Sequence, residues 1–318
     1  MSGITWGDLF SQGTLIKYSV HLWRARIQLK PEDLGIDQTE DIQKALSFGC
    51  HRLAPAEAFD EINTAVNGWK RDIEDHSLSF PLLEGVRYVP DKEVKTLQQK
   101  LDGWVRKFNH AVENFIAQYD EMMGSMLPVI EQALNAAAKT PEAAVAALSR
   151  VTREYPPAEK IRTKFGIEWD FFTITLPSST QAARTAKASA PQIQKVVSSM
   201  IEELRMELAT KVNTLLTLAQ KAKDGTSRSR EGLGEKSRKS ALIVLEKVER
   251  LNILGDPIIA EQTRVLRQLL ESTDGESDFN RVIRDLNQVQ STLETDIQTA
   301  AAAAEKKLTG LGNRKLRI

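Results

Sequence analysis

The sequence predicts a mainly α protein: an elongated antiparallel coiled-coil hairpin with a small β-sheet element and a C-terminal helical bundle. Three observations predict it. From Val94 to Met126, Leu101, Phe108, Phe115 and Met122 recur every seven residues, and Val105, Val112, Tyr119 and Met126 do so four places later. That four-three step is the narrow stripe by which one helix buries itself against another. Residues 182–223 carry a second stripe that includes Val197, Leu204, Leu208, Val212 and Leu215, which makes this segment the natural antiparallel partner. Two stretches, 14–29 and 165–176, alternate instead with the period of a strand.

The elements follow in chain order. Ile16, Tyr18, Val20 and Leu22 alternate with polar neighbours, and then Trp23, Ala25, Ile27 and Leu29 take over the apolar phase. A one-residue flip of this kind predicts a β-bulge, and Pro31 ends the strand because it has no N–H for a ladder. Helices are expected over Thr39–Phe48 and from Pro55 through Phe59, Ile62, Val66 and Trp69. Pro81, Gly85 and Pro90 punctuate the next stretch and leave room for a short strand at Val86–Val89.

Pro90-Asp91 opens the seam helix, with Asp91 as its cap. At about 1.5 Å per residue the seam is roughly 50 Å long, more than one compact core accommodates. Gly124 and Pro128 are expected to bend or stop it before helix resumes to Ala138. Thr140-Pro141-Glu142-Ala143 is a restart signal, a cap followed by a first-turn proline and an early acid, and Pro156-Pro157 ends that helix. In 165–176, Ile167, Trp169 and Phe171 share one face and Phe172, Ile174 and Leu176 the other. This strand is expected to pair with 14–29, beside the strand near Val89. Gly225, Gly232 and Gly234 mark a linker, and helices are expected at Ser237–Leu254, Pro257–Glu271 and Ser277–Lys307. The domain reading is an N-terminal strand with short helices (1–90), a long helical hairpin (91–223) with a β insertion at 165–176, a basic flexible linker (224–240) and a C-terminal helical segment (241–318).

Composition narrows the function classes. The chain has 43 Lys plus Arg and 43 Asp plus Glu, so no net charge draws it toward nucleic acid. Cys50 is the only cysteine, which excludes an intrachain disulfide and a thiolate zinc cluster. Residues 1–13 lack the pattern of a signal peptide, and no run reaches the roughly 18 apolar residues of a membrane span. A cytoplasmic protein is expected.

Local motifs assign no catalytic residue, cofactor or metal. Gly232 to Ser237 has the look of a phosphate loop, but Glu235 separates Gly234 from Lys236 and a helix precedes it, whereas such a loop needs contiguous Gly-Lys-Ser after a strand. Cys50-His51 is no nucleophile pair, because adjacent side chains rarely face each other. His110 falls on a polar position of the seam helix. The linker concentrates Arg228, Arg230, Lys236, Arg238 and Lys239 against Glu231 and Glu235, and the tail adds Arg314, Lys315 and Arg317. These five linker cations are the candidate partner-binding residues, suited to phosphates or acidic proteins. They lack the interleaved aromatics of a single-strand stacking platform.

Leu29-Lys-Pro-Glu-Asp-Leu-Gly35, Gly85-Val-Arg-Tyr-Val-Pro90 and Trp169-Asp-Phe-Phe-Thr-Ile-Thr-Leu-Pro177 together resemble a bacterial domain family of unknown function, encoded on mobile elements beside a MoxR-type AAA+ ATPase and a von Willebrand factor A domain protein. The resemblance covers most of the chain and brings no catalytic residues with it. It implies a third component, an adaptor or effector, working with those two partners. The expected function is therefore a non-enzymatic interaction or assembly protein, open to self-association into a homo-oligomer, in phage defence or a mobile element. One alternative is an α-helical membrane-active, pore-forming effector with Trp169–Leu176 as its tongue, a segment that is short and interrupted by Asp170. Another is nucleic-acid binding through the basic linker and tail, which the zero net charge disfavours.

Overall fold

The computed structural model describes residues 6–28, 50–52, 54–174, 180–224, 234–272 and 280–295. The chain is mainly helical with a small four-stranded sheet, and it divides into two compact units interleaved along the sequence. Unit 1 comprises Met1–Lys17, Glu74–Lys95 and Phe171–Ile318; unit 2 comprises Tyr18–Ile73 and Thr96–Asp170.

Helix α1 (Trp6–Phe10) leads into β1 (Gly13–His21), the strand expected from the first alternating run. β5 (Val86–Pro90) and β6 (Gly166–Phe172) flank β1, and β4 (Leu78–Ser79) completes the order β4-β5-β1-β6. β1 and β5 are antiparallel, with Gly13 opposite Pro90 and Lys17 opposite Val86. The pairing anticipated among these three segments is thus present. The phase flip after Leu22 is a strand break rather than a bulge. β1 stops at His21, Ala25 takes a left-handed φ of 46°, and the chain resumes as β2 (Arg26–Gln28) in a separate ladder with β3 (Cys50–Arg52). A non-glycine residue at positive φ turns the chain out of strand geometry, so the apolar phase restarts with a new strand. The helix expected over Thr39–Phe48 lies outside the described residues.

Unit 1 is built on α6 (Thr180–Lys223), α7 (Glu235–Leu251) and α8 (Pro257–Ser272), followed by a further helix over 280–295, α9. Ile193, Met200 and Leu204 of α6 pack with Trp6, Leu15 and Tyr88, and with Val248 and Ile259. Farther along, Leu208, Val212 and Leu215 meet Leu245, Leu266, Leu286 and Val289. Gly13 is required by close approach: a Cβ there would lie 2.5 Å from the Tyr88 ring. The Tyr88 hydroxyl donates to the Leu9 carbonyl at 2.7 Å, and burial, helped by Asp91, holds that phenol well above its ordinary range.

Unit 2 is built on most of α2 (Asp60–Asp75), most of α3 (Asp91–Ala137), α4 (Pro141–Glu154) and α5 (Ala158–Arg162). Phe108, Val112, Phe115 and Tyr119 of the α3 seam are buried with Trp23, Ile62, Ala147, Val151 and Ile161. Thr140 caps α4 as expected, its side chain accepting the Ala143 N–H at 3.2 Å. Pro128 lies inside α3 rather than ending it. The carbonyl its ring approaches belongs to Gly124, a position where a Cβ would meet nothing within 4 Å.

Each heptad-like stripe finds cover within its own unit. The α3 seam is buried by α2, α4 and α5 in unit 2, and the α6 stripe by α7, α8 and α9 in unit 1. A stripe fixes which face is buried and leaves the choice of partner to topology. Shorter helices that neighbour each long one in sequence supply cover at a small loop-closure cost.

Candidate functional site

Unit 2 holds a cleft of about 900 Å³. Its inner wall begins where β1 ends. Trp23 is buried, with its ring edge-on to Phe115 and Tyr119 at 6.0 and 5.8 Å and tilted against Phe59 at 6.4 Å. Arg24 is exposed between buried Trp23 and buried Ala25. The left-handed turn at Ala25 and the anchoring of Trp23 therefore present the Arg24 guanidinium at the mouth.

Two further lysines join it from separate elements. Lys70 stands exposed on α2, one residue after the fully buried Trp69, whose ring makes edge contacts with Tyr18 and Trp169. Lys164 follows α5 in a tight turn that is pinned on both sides. Ile161 is fully buried before it, and Phe165 packs edge-on against Phe115 at 5.6 Å after it. The Lys164 N–H donates to the Ile161 carbonyl and the Thr163 hydroxyl to the Lys160 carbonyl, both at 2.9 Å. His21, Asn63 and Thr163 add polar groups, while Val20, Leu22 and Phe59 supply apolar surface. No Asp or Glu is among the described residues lining the cleft. Arg162, next to it, is paired with Glu113.

This arrangement offers positive charge and hydrogen-bond donors at the rim and apolar area within. Its volume lies inside the roughly 300–1,000 Å³ of ordinary ligand clefts. It can hold an anionic ligand that also carries an apolar group.

Unit 1 concentrates polar groups of another kind. Glu93, in the first turn of α3, accepts from Arg250 of α7 at 2.5 Å and sits 2.7 Å from His76 Nδ1. Arg205 donates to Asp256 at 2.7 Å, and Arg87 bridges Ser77, Ser79 and Glu203. Lys247 reaches both Asp75 and Glu207. Each of these groups ties two elements of unit 1 together, so they read as fold-holding pairs.

The residues singled out from sequence fall elsewhere. Arg228 and Arg230 lie outside the described residues. Lys236, Arg238 and Lys239 sit in the opening turns of α7, so residues 235–240 are helix rather than linker. Lys239 pairs with Glu235 at 2.6 Å, and that hydrogen bond holds the Glu235 carboxyl below its usual range. Cys50 and His51 are on β3, opposite Gln28 and Ile27. His110 is exposed beside Asn114, as its polar position predicts. The cleft residues escaped the sequence reading because Arg24, Lys70 and Lys164 are far apart in the chain. The one local trace was Arg24 between two apolar residues at the phase flip.

Among the described residues no group of three His, Cys, Asp or Glu is arranged to hold a metal ion, and no helix is long and apolar enough to cross a membrane. No curated protein and no solved structure matches the chain. Residues 11–295 match a family model described as a protein of unknown function, DUF3150. That match runs from just before β1 through α9, so the chain belongs to the DUF3150 family.

Proposed function

We propose that this chain is a non-enzymatic interaction protein, an adaptor or effector that holds partner proteins through surfaces such as the unit 2 cleft. The carrying observation is the composition of that cleft: three cations and several donors around apolar surface, supplied by well-anchored elements. Such a lining serves recognition, since charge sets specificity and apolar contact supplies affinity. The resemblance to companions of MoxR-type AAA+ ATPases and von Willebrand factor A proteins suggests what the partners are. On this reading the chain works as a third component with them, in phage defence or on a mobile element, and self-association accompanies that role.

The test is co-purification. The full chain, tagged, is expressed with the AAA+ ATPase and von Willebrand A proteins encoded beside its gene, and complexes are mapped by cross-linking and mass spectrometry. Recovery of either partner in defined stoichiometry supports the reading. Recovery of neither rejects these two partners, and a monomeric chain that also captures no other protein by cross-linking rejects the interaction reading itself.

A further inference from the structure

The chemistry of the unit 2 cleft goes further than a generic contact surface. We infer that it takes an acidic peptide segment of a partner protein, with carboxylates on Arg24, Lys70 and Lys164 and an apolar side chain against Leu22 and Phe59. This rests on the interaction-protein reading above and names the ligand class of that site. The charge argument is direct: three exposed cations border the cleft and no carboxylate among the described residues lines it. Anions entering it meet the favourable potential of these three cations.

A polyanionic nucleic acid shares the negative charge but fits the remaining features poorly. Stacking of successive bases needs a series of accessible aromatic faces, whereas Trp23 is 9% exposed and enclosed by Phe59, Phe115 and Tyr119, which leaves Phe59 as the single accessible Phe, Tyr or Trp ring among the described lining residues. The chain as a whole has balanced charge, 43 against 43, so it lacks the long-range attraction that drives backbone binding. A cleft of about 900 Å³ with mixed lining suits a short segment better than a continuous strand. The side-chain apolar surface at Leu22 and Phe59 also has a use only if the ligand carries an apolar group beside its charge.

Fluorescence anisotropy on the full chain tests this with three labelled probes: a short peptide alternating glutamate and leucine, the same peptide with glutamine for glutamate, and a mixed-sequence single-stranded oligonucleotide. The glutamate peptide is expected to bind at least about tenfold more tightly than the other two. Arg24→Gln and Lys164→Gln each remove an exposed charge without touching the core, and each is expected to weaken that peptide about twofold to fivefold, compounding in the double variant. Unchanged circular dichroism verifies that both variants are folded. Equal binding of the glutamate and glutamine peptides, no binding of the glutamate peptide, or binding indifferent to both substitutions overturns the inference. Tighter binding of the oligonucleotide overturns it in favour of nucleic acid. Failure here with partners still co-purifying leaves the adaptor reading standing on another surface. Peptide binding without co-purification rejects only the ATPase and von Willebrand A assignment.

Discussion

The two units solve the same packing problem with different materials. Unit 2 encloses its core with aromatic rings, Trp23, Phe59, Phe115, Tyr119 and Phe165 in mutual contact, and leaves its Arg162–Glu113 pair half exposed. Unit 1 packs mainly aliphatic side chains along α6 to α9 and threads ion pairs through its interior, with Arg205, Asp256, His76 and Glu93 all buried. Rings confer area and tolerate small shifts, whereas buried charges demand a single geometry and are costly to orphan. Unit 1 should therefore be brittle to the loss of one charge, and unit 2 to a change of shape.

The sharpest way to break that contrast is Asp256→Ala. It strands buried Arg205 and also removes the cap that accepts the Ile258 and Ile259 N–H groups. Unit 1 should lose about 4 kcal/mol. Four of the five tryptophans are in unit 2 and only Trp6 is in unit 1, so fluorine-labelled tryptophan read by NMR during urea unfolding separates the two. An earlier transition at Trp6 alone is expected. A shift of all five together would mean that the units do not unfold separately.

The corresponding shape test in unit 2 is Gly68→Ala. A Cβ there would lie 2.3 Å from the Trp104 ring, which is held by a hydrogen bond to Asp72 and by Lys107 over its face. The helix gains up to about 1 kcal/mol in propensity, but displacing an anchored ring costs more, for a net loss of about 2 kcal/mol. A neutral or stabilising result in the same urea titration would show that Trp104 gives way freely.

Alkaline pH should separate the units more gently. Burial pushes the Tyr155 phenol up to about 12 and the Tyr119 phenol higher still, the latter helped by Tyr155 and Asp120; in unit 1 only Tyr88 is raised comparably. An unfolded tyrosine ionises near 10. Above that pH the unfolded chain holds fewer protons than the folded one, so stability is complete below about 10 and falls as pH climbs toward the folded values. Unit 2, with two such groups, should lose stability more steeply between about pH 10 and 12, and Tyr119→Phe should flatten its slope. Urea midpoints against pH give the answer. The smallest effect belongs to Glu235→Ala, whose pair with Lys239 is fully in solvent. No measurable shift in the Trp6 transition is expected.

Much of the local structure was legible. The cap at Thr140, the strand near Val89 and the neighbourhood of the two alternating runs followed from turn chemistry and periodicity. What escaped was whatever depends on choice among distant alternatives. An apolar stripe such as Leu204–Leu215 declares its buried face and is silent about which helix covers it. Ala25 gives no sign of its left-handed backbone, because an alanine there is held by surroundings rather than by its own preference. Pro128 signals a break, yet the helix continues through it. The cleft is invisible for the same reason as the units themselves: Arg24, Lys70 and Lys164 are brought together only by the folded chain.

Interleaving also sets an order of events at the ribosome. Every segment of unit 2 has been made once residue 170 emerges, while unit 1 still lacks the helices that cover its first pieces. At roughly 5–20 residues per second, the interval between Lys95 and Leu204 lasts on the order of 5–20 s. Throughout it Trp6, Leu9, Leu15 and Tyr88 are synthesised but deprived of Met200 and Leu204. The early strands are thus sticky orphans for seconds, and chaperones that shield nascent chains should recognise this protein by its first hundred residues.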